Sequence, residues 1–196
     1  RLAAVNALAD VPATLPLSAE QRTAFERAAT EYRAMQTFNA DRAEAWLNLG
    51  ALDARLGDPA PAEAAYQRAI RMHPLFIPPY VNLADLYRQQ GREADGERVL
   101  RQALTMQPPN GDVHHALGLL LVRQKRMPEA VSELAKATEH SPENARYAYV
   151  YGVALDSVGQ LDKALAVLAQ AYARFTGDRA IVSALLQFSL QAGDKT

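Results

Sequence analysis

The sequence predicts an all-α fold, a right-handed α-solenoid of about four and a half helix–turn–helix repeats with an irregular N-terminal helical cap. Three columns of residues predict it. Trp46, Tyr80, His114, Ala148 and Val182 stand 34 residues apart with no gap. Leu49, Leu83, Leu117, Tyr151 and Leu185 keep the same step, and so do Gly57, Gly91, Lys125, Gly159 and Gly193. A fixed period of this length means one supersecondary unit repeated, each copy burying its apolar face on the next.

The elements follow in order. Residues 2–9 (Leu-Ala-Ala-Val-Asn-Ala-Leu-Ala) are expected to form a short helix. Pro12 and Pro16 break the stretch after it. Ala28 and Tyr32 lie one period before Ala62 and Tyr66, so 18–38 is expected to be the second helix of an earlier repeat. Ser18 and Gln21 supply its capping box. Residues 1–42 thus form an N-terminal helical cap with a partial repeat. Four complete units occupy 43–76, 77–110, 111–144 and 145–178. In the first, Trp46, Leu49 and Gly50 mark one helix face, and Gly57 ends that helix in the left-handed region. Ala62, Tyr66, Ala69 and Ile70 mark a second helix, which His73-Pro74 stops because the residue before proline avoids the helical region. Asp41 with Glu44, and Ser141 with Pro142, read as helix starts. Residues 179–196 form a C-terminal capping helix with Asp178 as its cap and no second helix after it. Ile181, Val182, Leu185, Leu186, Phe188 and Leu190 are too many apolar groups for one stripe. The excess reads either as exposed apolar surface on a terminal capping helix or as a contact with another domain or subunit, a homo-oligomer through this helix included, with Phe188 as the residue to test.

Composition narrows the function. Lys and Arg number 21 against 22 Asp and Glu, and the net charge of -1 gives no field to hold nucleic acid or an anionic membrane. No cysteine is present, which excludes disulfides, thiolate metal sites, a cysteine nucleophile and covalent haem attachment within this segment. No apolar run approaches the roughly 18 residues that span a bilayer, so membrane insertion is not expected. The chain opens on Arg1 and carries no signal-like segment, and it is expected to be a piece of a larger protein.

Catalytic and metal chemistry find no support. The histidines are His73, His114, His115 and His140, without a metal-ligand spacing such as H-x3-H or HExxH. His114 and His115 diverge by about 100° on a helix. His114 takes a packed core position, and His115 falls on the opposite side as a polar surface residue. Ser132 and Ser183 lie within helices without a nearby base, and the glycines are spread one per repeat rather than gathered in a phosphate loop. Tyr147, Tyr149 and Tyr151 alternate like a strand, but the repeat frame overrules that pattern. Tyr151 fills the core leucine column, Tyr147 borders the helix packing, and Tyr149 points toward the groove side as an aromatic ligand contact. No cofactor and no metal are expected, and the chain reads as a non-enzyme.

The 43–76 unit resembles the tetratricopeptide repeat, whose pattern runs W-x2-L-G-x2-Y, then G, then A-x3-F-x2-A, then P. The matching residues are Trp46, Leu49, Gly50, Gly57, Ala62, Tyr66, Ala69 and Pro74, with Asp53 where tyrosine is usual. The second unit matches at Tyr80, Leu83, Ala84, Tyr87, Gly91, Leu100, Ala103 and Pro108. The third matches at Leu117, Gly118, Ala130, Leu134, Ala137 and Pro142. The fourth matches at Gly152, Gly159, Ala164, Leu168 and Ala171, with Thr176 replacing the proline. Four matches in phase cover about 70% of the chain.

The resemblance implies a protein-interaction module whose first helices line a concave groove for an extended peptide or partner helix. Carried onto this sequence, the lining residues are Asn48, Arg55, Asn82, Asp85, Arg88, His115, Arg123, Arg146 and Tyr149, joined by Asp156 and Gln187. Asn48 and Asn82 share a column and suit a peptide backbone. Arg55 and Arg123 share another, suited to carboxylates, although the helix dipole alone also favours a cation there. The family's clamp for chaperone tails needs basic residues where this chain has Leu47, Asp112 and Ala116, so that ligand is not expected. A looser similarity, through Tyr80–Arg92 (YVNLADLYRQQGR) and His114–Gln124 (HHALGLLLVRQ), is to the helical C-terminal region of bacterial multihaem c-type cytochrome proteins. It implies an assembly segment of a larger redox protein, making contacts within its own chain or between subunits. It also implies a periplasmic setting, with the cytoplasm as the alternative.

Overall fold

The computed structural model describes residues 18–106 and 109–193. The short helix expected at 2–9, with Pro12 and Pro16, lies outside them. The described residues form ten α-helices and no strand. The chain divides into two compact units, Arg1–Val99 and Leu100–Thr196. The first holds α1 (Ala19–Phe38), α2 (Ala43–Leu56), α3 (Pro59–Met72) and α4 (Pro78–Gln89). The boundary falls within α5 (Glu93–Met106). The second unit holds α6 (Gly111–Arg123), α7 (Met127–His140), α8 (Ala145–Ser157), α9 (Leu161–Arg174) and α10 (Arg179–Gly193). The helices α3, α5, α7 and α9 begin at 59, 93, 127 and 161, the period read from the sequence.

Each helix packs mainly on its neighbours in sequence. In the first unit α1 meets α2, α2 meets α3, and α3 meets α4. In the second, contact runs from α6 through α7, α8 and α9 to α10, and α8 also touches α10. A small-residue column makes the hairpins tight. A Cβ built on Gly50 would come within 2.6 Å of the Tyr66 ring, one on Gly118 within 2.7 Å of Leu134, and one on Gly152 within 2.8 Å of Leu168. The large residue of the second helix therefore sits directly on the backbone of the first.

The turns inside the hairpins repeat as faithfully. The N–H groups of Asp58, Arg92, Arg126 and Gln160 bond the carbonyls of Asp53, Tyr87, Leu121 and Leu155 at 2.8–2.9 Å. This is the six-to-one bond of the Schellman motif, which needs a left-handed residue just before the donor. Gly57, Gly91 and Gly159 supply it with φ of 81°, 71° and 75°. Lys125 holds the same place at φ 61°, the one non-glycine with positive φ among the described residues. Gly193 departs from this column, because it is itself helical, the last described residue of α10, without a positive φ.

Helix starts differ in part from expectation. Ser18 and Gln21 do form a reciprocal capping box on α1, and Asp178 Oδ1 accepts from the N–H groups of Ala180 and Ile181. Asp41 is not a cap, since α2 starts after Arg42 with no side-chain cap bond. Nor does Ser141 start a helix; it ends α7, and Asn144 caps α8 by accepting from Arg146 N–H. Asn110 caps α6 in the same way, so Asn110, Asn144 and Asp178 form a capping column. The carboxamide or carboxylate must stand next to the first free N–H groups, and these three residues do.

Two substitutions test this account. Lys125→Gly removes the left-handed strain and raises stability by about 0.5–1 kcal/mol in urea unfolding. Gly118→Val places a branched side chain under Leu134 and lowers stability by about 1–3 kcal/mol in the same assay.

Candidate functional site

The lining residues named from the sequence lie on the first helices of the hairpins. In the first unit they come from α2 and α4. Tyr66, from α3, organises them. Its ring crosses Gly50, and its hydroxyl takes a hydrogen bond from the Asn82 carboxamide. Asp53, Arg55 and Asp85 stand within electrostatic reach of it. Burial, opposed by the Asn82 bond, pushes the phenol up to about 12, so Tyr66 stays neutral. Asn48 is half-buried, and its Nδ2 donates to Oε1 of buried Gln36 on α1 (3.2 Å). Arg88 Nε donates to Asp85 Oδ1 (2.6 Å), and Gln89 Nε2 to Asp85 Oδ2 (2.9 Å). Arg55 is exposed and makes no hydrogen bond or ion pair among the described residues. The asparagine column therefore serves the fold as well as any ligand, and the arginines divide into one committed and one uncommitted cation.

Asp53, which replaces the usual tyrosine, is buried and ion-paired with Arg33 of α1 (2.8 Å). The same carboxylate oxygen satisfies no strict hydrogen-bond geometry, so the contact is a close charge pair rather than an aligned bond. On α3, one turn before Tyr66, Glu63 accepts from Tyr87 Oη (2.8 Å) and Arg92 Nη1 (2.7 Å). Arg92 also lies over the Tyr87 ring and donates to Asp95 (2.8 Å). Burial acts to raise the Glu63 carboxyl, but the Arg92 and Tyr87 bonds outweigh it and hold it below the usual range.

In the second unit, His115 is not the surface residue the sequence suggested. It is buried, and its ring stacks on Tyr147 of the next repeat with centroids 4.3 Å apart. Tyr147 Oη donates to Asp112 Oδ1 (2.5 Å), and that bond closes the stack. His115 Nδ1 is buried with no partner. Burial pulls its pKa down to about 4, and the nearby Arg146 charge adds to the effect while Asp112 opposes it. Arg146 itself is exposed with no side-chain hydrogen bond or ion pair among the described residues. Tyr149 is half-buried against Ala148, Ala171 and Ile181, so one part of its ring is core. Tyr151 likewise packs on the Leu155, Leu168 and Phe188 cluster without full burial. Arg123 is exposed at the end of α6.

His114 is buried as expected, but it also has a polar partner. Glu133 Oε2 lies 2.6 Å from its Nδ1, and Glu133 Oε1 accepts from Lys136 Nζ (2.8 Å). Burial acts to raise the Glu133 carboxyl, but Lys136 and His114 outweigh it and keep it ionised. An ionised carboxylate only accepts, so the His114 proton sits on Nδ1. Phe188 is also corrected. It is buried with Leu168 and Ala184, whereas Leu186 and Leu190 are 63% and 71% exposed. No group of three or more His, Asp or Glu side chains among the described residues is arranged to hold a metal ion.

Residues 15–75 and 87–152 each match a profile described as tetratricopeptide repeat. The chain belongs to the tetratricopeptide repeat family. Its fold class is accordingly an α-solenoid of tetratricopeptide hairpins, and the family consists of protein-interaction scaffolds that are typically non-enzymatic. No curated protein matches the chain at a significant level. Several solved structures share the fold. A thermophilic tetratricopeptide protein of Thermus thermophilus is 21% identical with a TM-score of 0.66, over 85% of this chain and 91% of that one. YrrB, described as a tetratricopeptide protein with an unusual peptide-binding site, is 19% identical with a TM-score of 0.57, over 85% and 99%. MamA of Desulfovibrio magneticus RS-1 is 16% identical with a TM-score of 0.60, over 78% and 87%. These matches lend no support to the resemblance to multihaem cytochromes. No helix among the described residues is long and apolar enough to cross a membrane.

The stack on Tyr147 has a pH consequence. In the folded chain His115 titrates near 4, against an ordinary value of 6.5. Between those values the unfolded chain binds the extra proton, so stability is full above pH 6.5 and falls as pH drops toward 4. Urea unfolding across this window is expected to show that slope, and His115→Phe, which keeps the stack, is expected to flatten it.

Proposed function

We propose that the first-helix faces of each unit hold an extended peptide or partner helix that carries carboxylates. The observation that supports this reading is the pair of uncommitted cations, Arg55 on α2 and Arg146 on α8. Each is exposed, and neither side chain makes a hydrogen bond or ion pair among the described residues. A planar guanidinium with free donors suits bidentate pairing with a carboxylate. Around Arg55, Asn48 and Asn82 offer donors and acceptors beyond those spent on Gln36 and Tyr66, which suits the amides of an extended backbone. Around Arg146, the half-exposed Tyr149 ring gives apolar area at low entropic cost, and the His115–Tyr147 stack gives that face a fixed wall. Arg123 adds a second cation on α6. The description of YrrB as having a peptide-binding site agrees with this use of the fold.

Selection from a random peptide library displayed on phage tests the reading. Enriched peptides are expected to carry Asp or Glu, and Arg55→Ala and Arg146→Ala are each expected to weaken the synthesised peptides by about 5–30-fold, or 1–2 kcal/mol. Asn48→Ala with Asn82→Ala is expected to weaken binding while leaving helix content unchanged. Enrichment without acidic residues, or affinities untouched in both arginine variants, would remove the proposal.

A further inference from the structure

The two neighbouring histidines of α6 are set in opposite ways. His114 gives its Nδ1 proton to Glu133. His115 Nδ1 is buried and meets no partner. The residue keeps 8% of its surface, and neither ring nitrogen makes a hydrogen bond among the described residues. Nδ1 is the enclosed nitrogen, so Nε2 is the one left able to meet another group. A buried N–H without an acceptor is among the rarest groups in folded proteins, and an unpaired acceptor is better tolerated. Burial keeps the ring neutral, with its pKa pulled down to about 4, so it carries one proton. That proton belongs on Nε2. His115 thus offers an uncharged N–H donor in a fixed orientation.

The surroundings say what it donates to. Tyr147 of α8 stacks on the ring with centroids 4.3 Å apart and planes 21° apart, and its hydroxyl is held by Asp112. Arg146 immediately precedes Tyr147 on α8 and is exposed, with no side-chain hydrogen bond or ion pair among the described residues. A free guanidinium and a free imidazole N–H therefore stand on either side of one clamped tyrosine. Asp112 and Glu143 bring negative charge to the same end of the helices, and one Asp112 oxygen is taken by Tyr147. At the His115 ring the Arg146 charge acts more strongly than that of Asp112. The balance favours an anionic acceptor.

We infer that His115 is a specificity-determining residue, its Nε2–H donating to the same ligand side-chain carboxylate that pairs with Arg146. This rests on the peptide reading above and adds a second, neutral donor to it. A guanidinium on a long flexible stem follows its anion over a range of positions. An N–H in a ring clamped by a stack does not move. Together they select a carboxylate of Asp or Glu placed with one oxygen toward each donor.

Two measurements test it. In the isotope-labelled wild-type chain, nitrogen–proton correlation spectra of the imidazole rings at neutral pH are expected to show His115 protonated on Nε2 and His114 on Nδ1. His115→Phe identifies the signal by removing it. A His115 proton on Nδ1 overturns the inference before any ligand is added. The second measurement is titration calorimetry with an acidic peptide from the phage selection, synthesised with an amidated C-terminus so that only side chains supply carboxylate. His115→Phe, which keeps the aromatic stack, is expected to weaken it about 3–10-fold with unchanged circular dichroism. Combined with Arg146→Ala, the loss is expected to be smaller than the product of the two single losses, because both groups hold one carboxylate. Losses that multiply fully, or a silent His115→Phe where Arg146→Ala weakens binding, overturn the role of His115 and leave the peptide reading standing. A silent Arg146→Ala overturns it too, and takes the peptide reading with it when Arg55→Ala is also silent.

Discussion

Everything in this fold depends on the closeness of two helix backbones. Where a tyrosine or leucine from the second helix rests on a glycine of the first, there is no side chain left between them. That contact fixes the spacing of each hairpin, and the spacing decides which residues reach the neighbouring hairpin and which are left outside. Tyr66 shows the chain of consequence. Because Gly50 lets its ring pass, its hydroxyl emerges beside Asn82, and the polar groups of α2 and α4 gather around it. The same packing in the second unit brings Tyr147 against His115 and leaves Arg146 outside.

The helices and turns were legible because every repeat must solve the same steric problem with the same kind of residue. A left-handed turn residue, a small contact residue and a large one recur at fixed intervals, and a period exposes them. Lys125 shows how strong this constraint is, since the backbone takes the glycine conformation even where the sequence supplies no glycine. The caps were less legible. Asp41 and Ser141 have suitable side chains but stand too far from the first free N–H groups, which Asn144 reaches.

The polar pairs of the candidate site were hidden for a different reason. Asp53 with Arg33, Asn48 with Gln36, His114 with Glu133 and Tyr147 with Asp112 join residues on different helices. Each partner looks ordinary alone, and only the packing angle brings the two together. His115 was misread for this reason. Its own helix places it on the open side, and an aromatic ring from the following repeat closes that side. Tyr66, which the sequence marks only as part of a second helix, carries its polar end to the site.

Helix α1 is fastened unlike the rest. Its one buried residue is Gln36, and it is held through that carboxamide and the Arg33–Asp53 charge pair, while Met35 and Phe38 remain exposed. Helices held by neighbour contacts open first where apolar burial is least. Amide protons of α1 should thus exchange with solvent sooner than those of α2 and α3, and added salt should hasten them. In the first unit the order of opening is set by a handful of polar atoms.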